Sequence, residues 1–466
     1  MSTQNTHYGA KRITELLSPD RCKKVFFCGI GGINVSSLAH ITLCEGYIVS
    51  GSDRTKSSIT EELEREGARV FYSHDAKNIE GCDAFVYTVA ISPDNPEYVR
   101  AGELGIPRIS RADYLGYIMT KYENRIGVCG THGKSTTTAM CSSIFEAAGR
   151  EPTVMCGAEL QSCGSAYLAG GKRDFIFEAC EYMDSFLHFN PTVSVLLNVE
   201  LDHVDYFKSI DQMRTSYASF LALAGDNGCA VYNADDAEAI AAASGFSGRC
   251  LSFGIENRSA ELLAVDLTED RGRFSFNMEL KGKHFAHIKL AAAGKHNVLN
   301  ALAAAGAAIL LGVSSEAIER GLSSFVGTRR RMEYRGQLNG AELYDDYAHH
   351  PTEIQASLKS ARSFGDGRLI CLFQSHTYSR THALLEDFAK ALSLADIALI
   401  APIYSAREVN ESGVSQYSLA EKIDGAVGCK DFEECAERLK SIAKPNDTVV
   451  IMGAGDIFKV FDLLKK

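Results

Sequence analysis

The chain has no tryptophan, only 9 prolines in 466 residues, and no Cys-x-x-Cys pair among its 14 cysteines. So little proline leaves no room for a Pro-rich linker or a polyproline segment. Cysteines without paired spacing exclude a zinc ribbon and a disulfide framework. Several of them (Cys28, Cys129 and Cys371) fall inside apolar strands and read as small buried hydrophobes in a reducing compartment. Long hydrophobic runs are also missing. The most apolar helical stretch, Ala301 to Leu311, is too short to span a bilayer, and the polar first residues contain no signal-peptide core. Excess positive charge is absent too. A net charge of −11 argues against a nucleic-acid footprint, although local loops can still be positive enough for an anionic substrate. Together these absences predict a cytoplasmic protein with no nucleic-acid partner and no membrane insertion.

A 45% hydrophobic, 23% charged composition is that of a globular protein, and the length exceeds one ordinary core. Three blocks follow one another. The first opens with the apolar Lys24-Val25-Phe26-Phe27-Cys28, then Gly29-Ile30-Gly31-Gly32-Ile33-Asn34, a helical pattern, and Tyr47 to Asp53. Strand, glycine loop, helix and strand with an acid at its end is the layout of a dinucleotide-binding unit. Gly29, Ile30, Gly31, Gly32, Ser52 and Asp53 are the candidate contacts. Asn34 stands where the usual fingerprint has glycine, so a structural turn is the competing reading. Further strands are predicted at Arg69–Tyr72, Ala84–Thr88 and Arg108-Ile109.

The second block carries Gly130-Thr131-His132-Gly133-Lys134-Ser135-Thr136-Thr137-Thr138 between a predicted strand, Arg125 to Cys129, and a helix running through Phe145. Such a turn aims backbone N–H groups and a helix N-terminus at one point, which suits a triphosphate. Lys134 would reach the terminal phosphates and the Ser135 hydroxyl would sit on magnesium. The loop is a shortened variant, because Val128 occupies the position of the usual first glycine. Two strand ends bring acids beside it. Asp174–Glu178 leads into Ala179-Cys180-Glu181, making Glu178 the best-placed metal ligand and Glu181 the second. Ser194–Asn198 leads into Val199-Glu200-Leu201-Asp202-His203-Val204-Asp205, where His203 reads either as a ligand or as a surface hydrogen-bonder. A strand at Ala230–Asn233 and an antiparallel run from Ala260 to Leu290 follow.

In the third block, Gly294-Lys295-His296-Asn297 introduces a helix, with Asn297 as a base or ribose contact or simply a cap. Arg329-Arg330-Arg331 is a phosphate clamp or a solvated turn. Strand Glu342–Tyr344 runs into Asp345-Asp346-Tyr347-Ala348-His349-His350-Pro351. Strand Leu369–Phe373 runs into Gln374-Ser375-His376-Thr377-Tyr378-Ser379-Arg380. Strands Ile397–Ala401 and Thr448–Met452 complete the block. Strand ends dense in His, Asp and Arg mark a site edge. Strands alternating with helices predict parallel α/β sheets throughout.

Taken in order and spacing, these motifs resemble the Mur ligases over nearly the whole chain, and within that family the members that join L-alanine to UDP-N-acetylmuramate. The resemblance implies an α/β protein of three domains: a Rossmann-like N-terminal domain that binds the UDP-sugar (1–122), a central P-loop ATPase-like domain (123–327), and a smaller C-terminal α/β domain that binds the amino acid (328–466). It implies ATP and Mg2+ as cofactors, and a monomer or homodimer. Gly130, Thr131, His132, Gly133, Lys134, Ser135 and Thr136 match the phosphate loop. Ser135, Glu178 and His203 match the metal site. Asn297, Arg331 and Asp346 match positions near the nucleotide. Tyr347, His349, His376 and Arg380 match the grip on alanine. The departures are Asn34 and Val35 for a glycine and a methionine, Cys180 for an aspartate, and Ser375 and Thr377 for a proline and, in some members, an arginine. Lys208 is not assigned the carbamylated-lysine role of several sister ligases.

The implied reaction activates the muramate carboxylate as an acyl phosphate, which the alanine amine then attacks, within domains that close over the reactants. The amine must be neutral. His349 and His376 are both candidate bases, because histidine titrates near neutral pH, and the sequence does not choose between them. Three rivals stand beside this reading: a recycling ligase that adds a preformed peptide, a nicotinamide dehydrogenase built on the first loop, and a non-catalytic ATP and UDP-sugar switch.

Overall fold

The computed structural model describes residues 9–18, 20–88, 91–160, 162–203, 206–406 and 408–465. Of the motif residues above, Val204 and Asp205 lie outside that set. The chain divides into two compact units, one of residues 1–252 with 306–312, the other of 253–305 with 313–466. Among the described residues, no helix is long and apolar enough to cross a membrane.

The first unit begins with five parallel strands: β1 (Lys24–Cys28), β2 (Ile48–Ser52), β3 (Arg69–Phe71), β4 (Ala84–Tyr87) and β5 (Arg108–Ser110), in the order β3-β2-β1-β4-β5. The order reverses at β1, so the crevice at its carboxyl end, where the glycine loop starts, is the topological switch point. Next come β6 (Asn124–Cys129), β7 (Thr153–Leu160), β8 (Ser165–Leu168), β9 (Asp174–Glu178), β10 (Val193–Leu196) and β11 (Cys229–Asn233), running β11-β10-β6-β9-β7-β8. All pair in parallel except β8, which folds back on β7. The central strands are apolar on both faces, as a sheet covered by helices on both sides requires. The helix Lys134–Ala147 buries Met140, Ile144 and Phe145 completely.

In the second unit, β12 (Arg249–Gly254) pairs through Phe253 and Gly254 with β13 (Leu262–Asp270), which continues into the antiparallel strands β14 (Arg273–Leu280) and β15 (Lys283–Lys289). A second sheet holds β16 (Glu333–Leu338), β17 (Ala341–Asp346), β18 (Leu369–His376), β19 (Ile397–Tyr404), β20 (Val427–Gly428) and β21 (Thr448–Met452), in the order β16-β17-β21-β18-β19-β20. Every pair in it is parallel except β16–β17. The expectation of parallel sheets throughout is therefore corrected at β8 and β16, each added by a hairpin rather than a helical crossover. All 14 cysteines are free thiols, with Cys28, Cys129 and Cys371 buried.

Candidate functional site

Among the described residues, many helices start at a side chain that caps them: Ser57, Asn95, Ser110, Ser209, Asp236, Ser314 and Asp431 each accept a first-turn N–H. The two helices that follow the glycine-rich loops start at Gly32 and Gly133, with no side-chain cap. Their first N–H groups have no intrahelical acceptor and point out of the helix, which is the arrangement an anion can use.

At the first loop, Gly29 and Ile30 donate their N–H groups to the Ser52 carbonyl (2.8 and 3.0 Å), and Gly32 donates to Gly29 (3.1 Å). Gly31 donates to the Asp53 carboxylate (2.9 Å). A Cβ on Gly31 would lie 2.8 Å from that same oxygen, so a side chain there would push the Asp53 carboxylate off the loop. The loop's own amides are thus spent on its shape, and the uncapped turn starting at Ile33 is what remains for a phosphate. Ser52 is fully buried, not turned toward a ligand. Its hydroxyl donates to Glu97 (2.6 Å), a carboxylate that also takes His74 Nδ1 (3.0 Å), Cys28 Sγ (3.3 Å) and Asn78 Nδ2 (2.8 Å). This network ties the ends of β1 and β2 together beneath the loop.

The phosphate loop is strapped to the segment after β10. Thr131 N–H donates to the Asn198 carbonyl (3.1 Å), His132 N–H to Asn198 Oδ1 (2.8 Å), and Thr131 Oγ1 to the Glu200 carbonyl (3.0 Å). Gly130 and Gly133 sit at φ 135° and 86°, backbone that L side chains rarely adopt, and a Cβ on Gly130 would meet Leu197 at 2.9 Å. Ser135 and Thr136 are buried in the first turn. The Ser135 hydroxyl donates to Glu178 Oε2 (2.7 Å), which also receives the Gly157 N–H from β7 (2.8 Å). Lys134 Nζ donates to the carbonyls of Gly130 (2.6 Å) and Thr131 (3.0 Å) and lies 3.0 and 3.2 Å from the two oxygens of the buried Glu181. Burial disfavours its charge, but Glu181, Cys180 and Glu178 outweigh that and hold the ammonium above its ordinary pKa. His203 places Nε2 3.6 Å from Glu181 and its ring 4.9 Å from Tyr182.

A hydroxyl and a carboxylate oxygen side by side at the end of the loop are the hard oxygen donors magnesium prefers, so Ser135 and Glu178 fit that ion. His203 stands on the Glu181 side of Lys134. Gly157 was missed by sequence reading, because β7 carries no motif of its own.

In the second unit, β17 delivers Asp345 and Asp346 at its carboxyl end. Asp345 is paired with Arg330 (3.3 Å), whose guanidinium also donates to the Gly453 carbonyl (2.6 Å) and lies over Tyr347 and Phe458. Arg330 is therefore an internal strut, whereas Arg331 faces Glu353 (3.6 Å) and the Tyr347 ring. Asp346, 2% exposed, accepts from Ala348 N–H (2.8 Å) and Ser357 Oγ (2.8 Å), fixing the turn that carries Tyr347 and His349. Its burial pushes its pKa up to about 6 against the opposing pull of Arg331. The His349 ring lies 6.1 Å from that of His376, which in turn stacks on Tyr404. Burial lowers both histidines, His349 to about 4 against the pull of Glu353, with Arg380 adding to the decrease for each. Arg380 sits on the short helix Tyr378–Ala383 that follows β18. Asn297 donates to the Ala293 carbonyl (2.6 Å) and accepts from Asn300 (2.9 Å). Its neighbour His296 feels the fields of Arg331 and Glu353. Asn300 and Glu353 were not singled out from sequence.

Sequence models of one family cover most of the chain: "Mur ligase family, catalytic domain" matches residues 24–123, "Mur ligase middle domain" 128–308, and "Mur ligase, glutamate ligase domain" 330–455. The UDP-N-acetylmuramate–L-alanine ligase of Caldanaerobacter subterraneus subsp. tengcongensis is 44% identical, over 95% of this chain and 97% of its own. That of Acetivibrio thermocellus is 42% identical, over 97% of each. Among solved structures, the UDP-N-acetylmuramate-alanine ligase of Thermotoga maritima matches with a TM-score of 0.80 at 26% identity, over 95% of this chain and 98% of that one. A murein peptide ligase of Psychrobacter arcticus shares the fold, with a TM-score of 0.70 at 24% identity over the same shares of the two chains.

Proposed function

The chain belongs to the Mur ligase family, and from that premise we propose that it joins L-alanine to the carboxylate of UDP-N-acetylmuramate with cleavage of ATP to ADP and phosphate, in peptidoglycan precursor synthesis. The observation that carries this reading is full-length identity of 40–44% to ligases of that activity. The geometry supports it. An uncapped helix at the β1 switch point suits a pyrophosphate, the Lys134 loop suits a triphosphate, and His349, His376 and Arg380 gather at the ends of β17 and β18. The proposed division is UDP-sugar to 1–122, ATP to 123–327 and alanine to 328–466, in a cytoplasmic enzyme.

The muramate carboxylate attacks the γ-phosphorus, its C–O–P bond forming as the bond to ADP breaks. Lys134 lies where it can neutralise charge on the transferred group, and the first-turn N–H groups of the helix Lys134–Ala147 add fixed dipoles. Magnesium, held by Ser135 and Glu178, with His203 nearby, would supply further charge neutralisation on the phosphates. Asn297, Arg331 and Asp346 are assigned to the nucleotide side. The alanine nitrogen then bonds to the acyl carbon, and inorganic phosphate leaves with the C–O electrons. Holding amine and acyl phosphate in one orientation is worth about 7–11 kcal/mol of barrier.

The test is phosphate release from ATP with UDP-N-acetylmuramate, with and without L-alanine. Release that requires both supports the ligase. A requirement for peptide in place of alanine, or no turnover, overturns it. Arg380 is proposed to hold the alanine carboxylate, so Arg380→Ala should raise the KM for L-alanine by roughly tenfold or more, the worth of one charge-assisted hydrogen bond, with the KM for ATP unchanged. An unchanged alanine KM in steady-state assays would remove Arg380 from the amino-acid site.

A further inference from the structure

The helix Pro351–Arg362 begins with His350 as its N-cap, and Glu353 sits in its first turn. The Glu353 carboxylate turns back over the preceding residue. Oε2 accepts the His349 backbone N–H (3.2 Å) and lies 3.4 Å from His349 Nδ1, while Oε1 faces Arg331 at 3.6 Å. His349 Nδ1 is also 3.1 Å from the Tyr347 carbonyl oxygen. Both oxygens beside Nδ1 can only accept, so Nδ1 carries the proton and Nε2 keeps its lone pair. Among the described residues, the His376 ring makes no hydrogen bond or ion pair of that kind; it lies against the rings of Tyr404 and His349 and feels the charges of Arg380 and Glu408.

We propose that Glu353 is a positioning residue that fixes the Nδ1–H tautomer of His349, making His349 rather than His376 the base that deprotonates the incoming alanine. This rests on the ligase reading. In the step, an N–H proton of the alanine ammonium passes to His349 Nε2, and the freed nitrogen lone pair forms the bond to the acyl carbon. The imidazolium so formed keeps Nδ1–H on the Tyr347 carbonyl and against Glu353, whose negative charge stabilises it. Arg331 on the other carboxylate oxygen holds Glu353 in place. The charged and titratable groups that face His349 are Glu353 from the helix, Arg331 from the turn before β16, Arg380 from the helix after β18, and the rings of Tyr347 and His376.

A purely structural role is also defined by the geometry. A Glu or Gln three residues into a helix that reaches back to a backbone N–H serves capping equally well in either form. Glu353→Gln therefore keeps the cap and removes the charge. The positioning role predicts that kcat falls at least about tenfold while the KM values for ATP and UDP-N-acetylmuramate stay within about twofold. The acid limb of the kcat profile should move to lower pH, because the anion that favours imidazolium is gone. Glu353→Asp should recover part of kcat. Independently of turnover, 15N spectra of histidine-labelled protein, with the His349 signals identified by their loss in His349→Gln, should show protonated Nδ1 and bare Nε2 near neutral pH. Wild-type kcat and acid limb in the Gln variant would overturn the proposal, as would an Nε2–H tautomer in the wild type. If the wild type fails to turn over, the ligase reading falls, and the spectra still decide the role of Glu353.

Discussion

Lys134→Ala lowers ATP turnover by about a thousandfold or more while leaving UDP-N-acetylmuramate affinity within about twofold. The size of the loss follows from removing a fixed positive charge aimed at a phosphoryl group in a partly dry site, where one such donor is worth about a hundredfold to a thousandfold and a full charge more. The intact affinity follows from the first loop, whose contacts run among Gly29–Gly32, Ser52 and Asp53 and include nothing from the phosphate loop. A second consequence must be separated from the first. Lys134 is the cation on Glu181, whose side chain is 1% exposed. Deleting the lysine leaves that buried carboxylate with His203 at 3.6 Å but no fixed cation, a loss of about 3–5 kcal/mol. The single variant is therefore also expected to melt earlier. Neutralising the orphan in the double variant Lys134→Ala/Glu181→Gln should restore most of the melting temperature and none of the turnover. If turnover returned with stability, Lys134 would be a strut rather than a catalytic residue. Equal loss of turnover and UDP-sugar affinity in isothermal titration would count against the proposed division of labour between the domains.

The parallel strands were legible because each ends in its own chemistry. Lys24–Cys28, Asp174–Glu178 and Thr448–Met452 are apolar runs cut off by glycine or a charged residue, and the structure reproduces all three spans. The antiparallel run from Ala260 to Leu290 was legible as well, but the hairpins that add β8 and β16 were not, although the β16 turn is written plainly. Leu338-Asn339-Gly340-Ala341 joins β16 to β17 with φ of 52° and 82° at its two central residues, the backbone a two-residue hairpin turn demands. Arg271-Gly272 and Lys281-Gly282 do the same around β14, with a cation in the left-handed position where Asn is the usual signal. At the proposed site, sequence reading named the groups proposed to act but not the groups that hold them. Gly157 reaches Glu178 only through sheet pairing of β7 with β9, which no local pattern encodes. Ser52, read as a ligand contact from its place at a strand end, is instead part of the buried Glu97 network, because β2 turns that side chain under the loop. Glu353 was not singled out, because an acid in the first turn of a helix is ordinary capping chemistry, and only the fold sets the Tyr347 carbonyl and His349 around it.

Asp346→Asn should stabilise the second unit at neutral pH and cripple the enzyme. The carboxyl of Asp346 is buried and its pKa is raised from 3.8 to about 6. A carboxyl raised in this way favours the fold while protonated and opposes it once ionised. Its contribution is fully present below about pH 4 and is lost as pH climbs through 6, leaving a cost of roughly 3 kcal/mol at pH 7. Asparagine has the same shape and no charge to ionise. Its oxygen can accept from Ala348 N–H as Asp346 Oδ1 does, and its amide can donate to Ser357, whose hydroxyl then accepts. Arg331 loses one anion but retains Glu353. The melting transition of the variant should therefore lie higher at pH 7 by on the order of 5 °C, and the gap should close progressively below pH 6. A gap that does not change with pH would show that ionisation is not the cause, and a less stable variant at pH 7 would refute the premise. Activity should move the other way, by about a hundredfold, because asparagine keeps the Tyr347–His349 turn but removes the negative charge on the nucleotide side of the proposed site. A folded protein retains a buried charge at such a cost where the charge serves the reaction. Opposite signs for stability and turnover in one isosteric substitution would distinguish that role from simple packing.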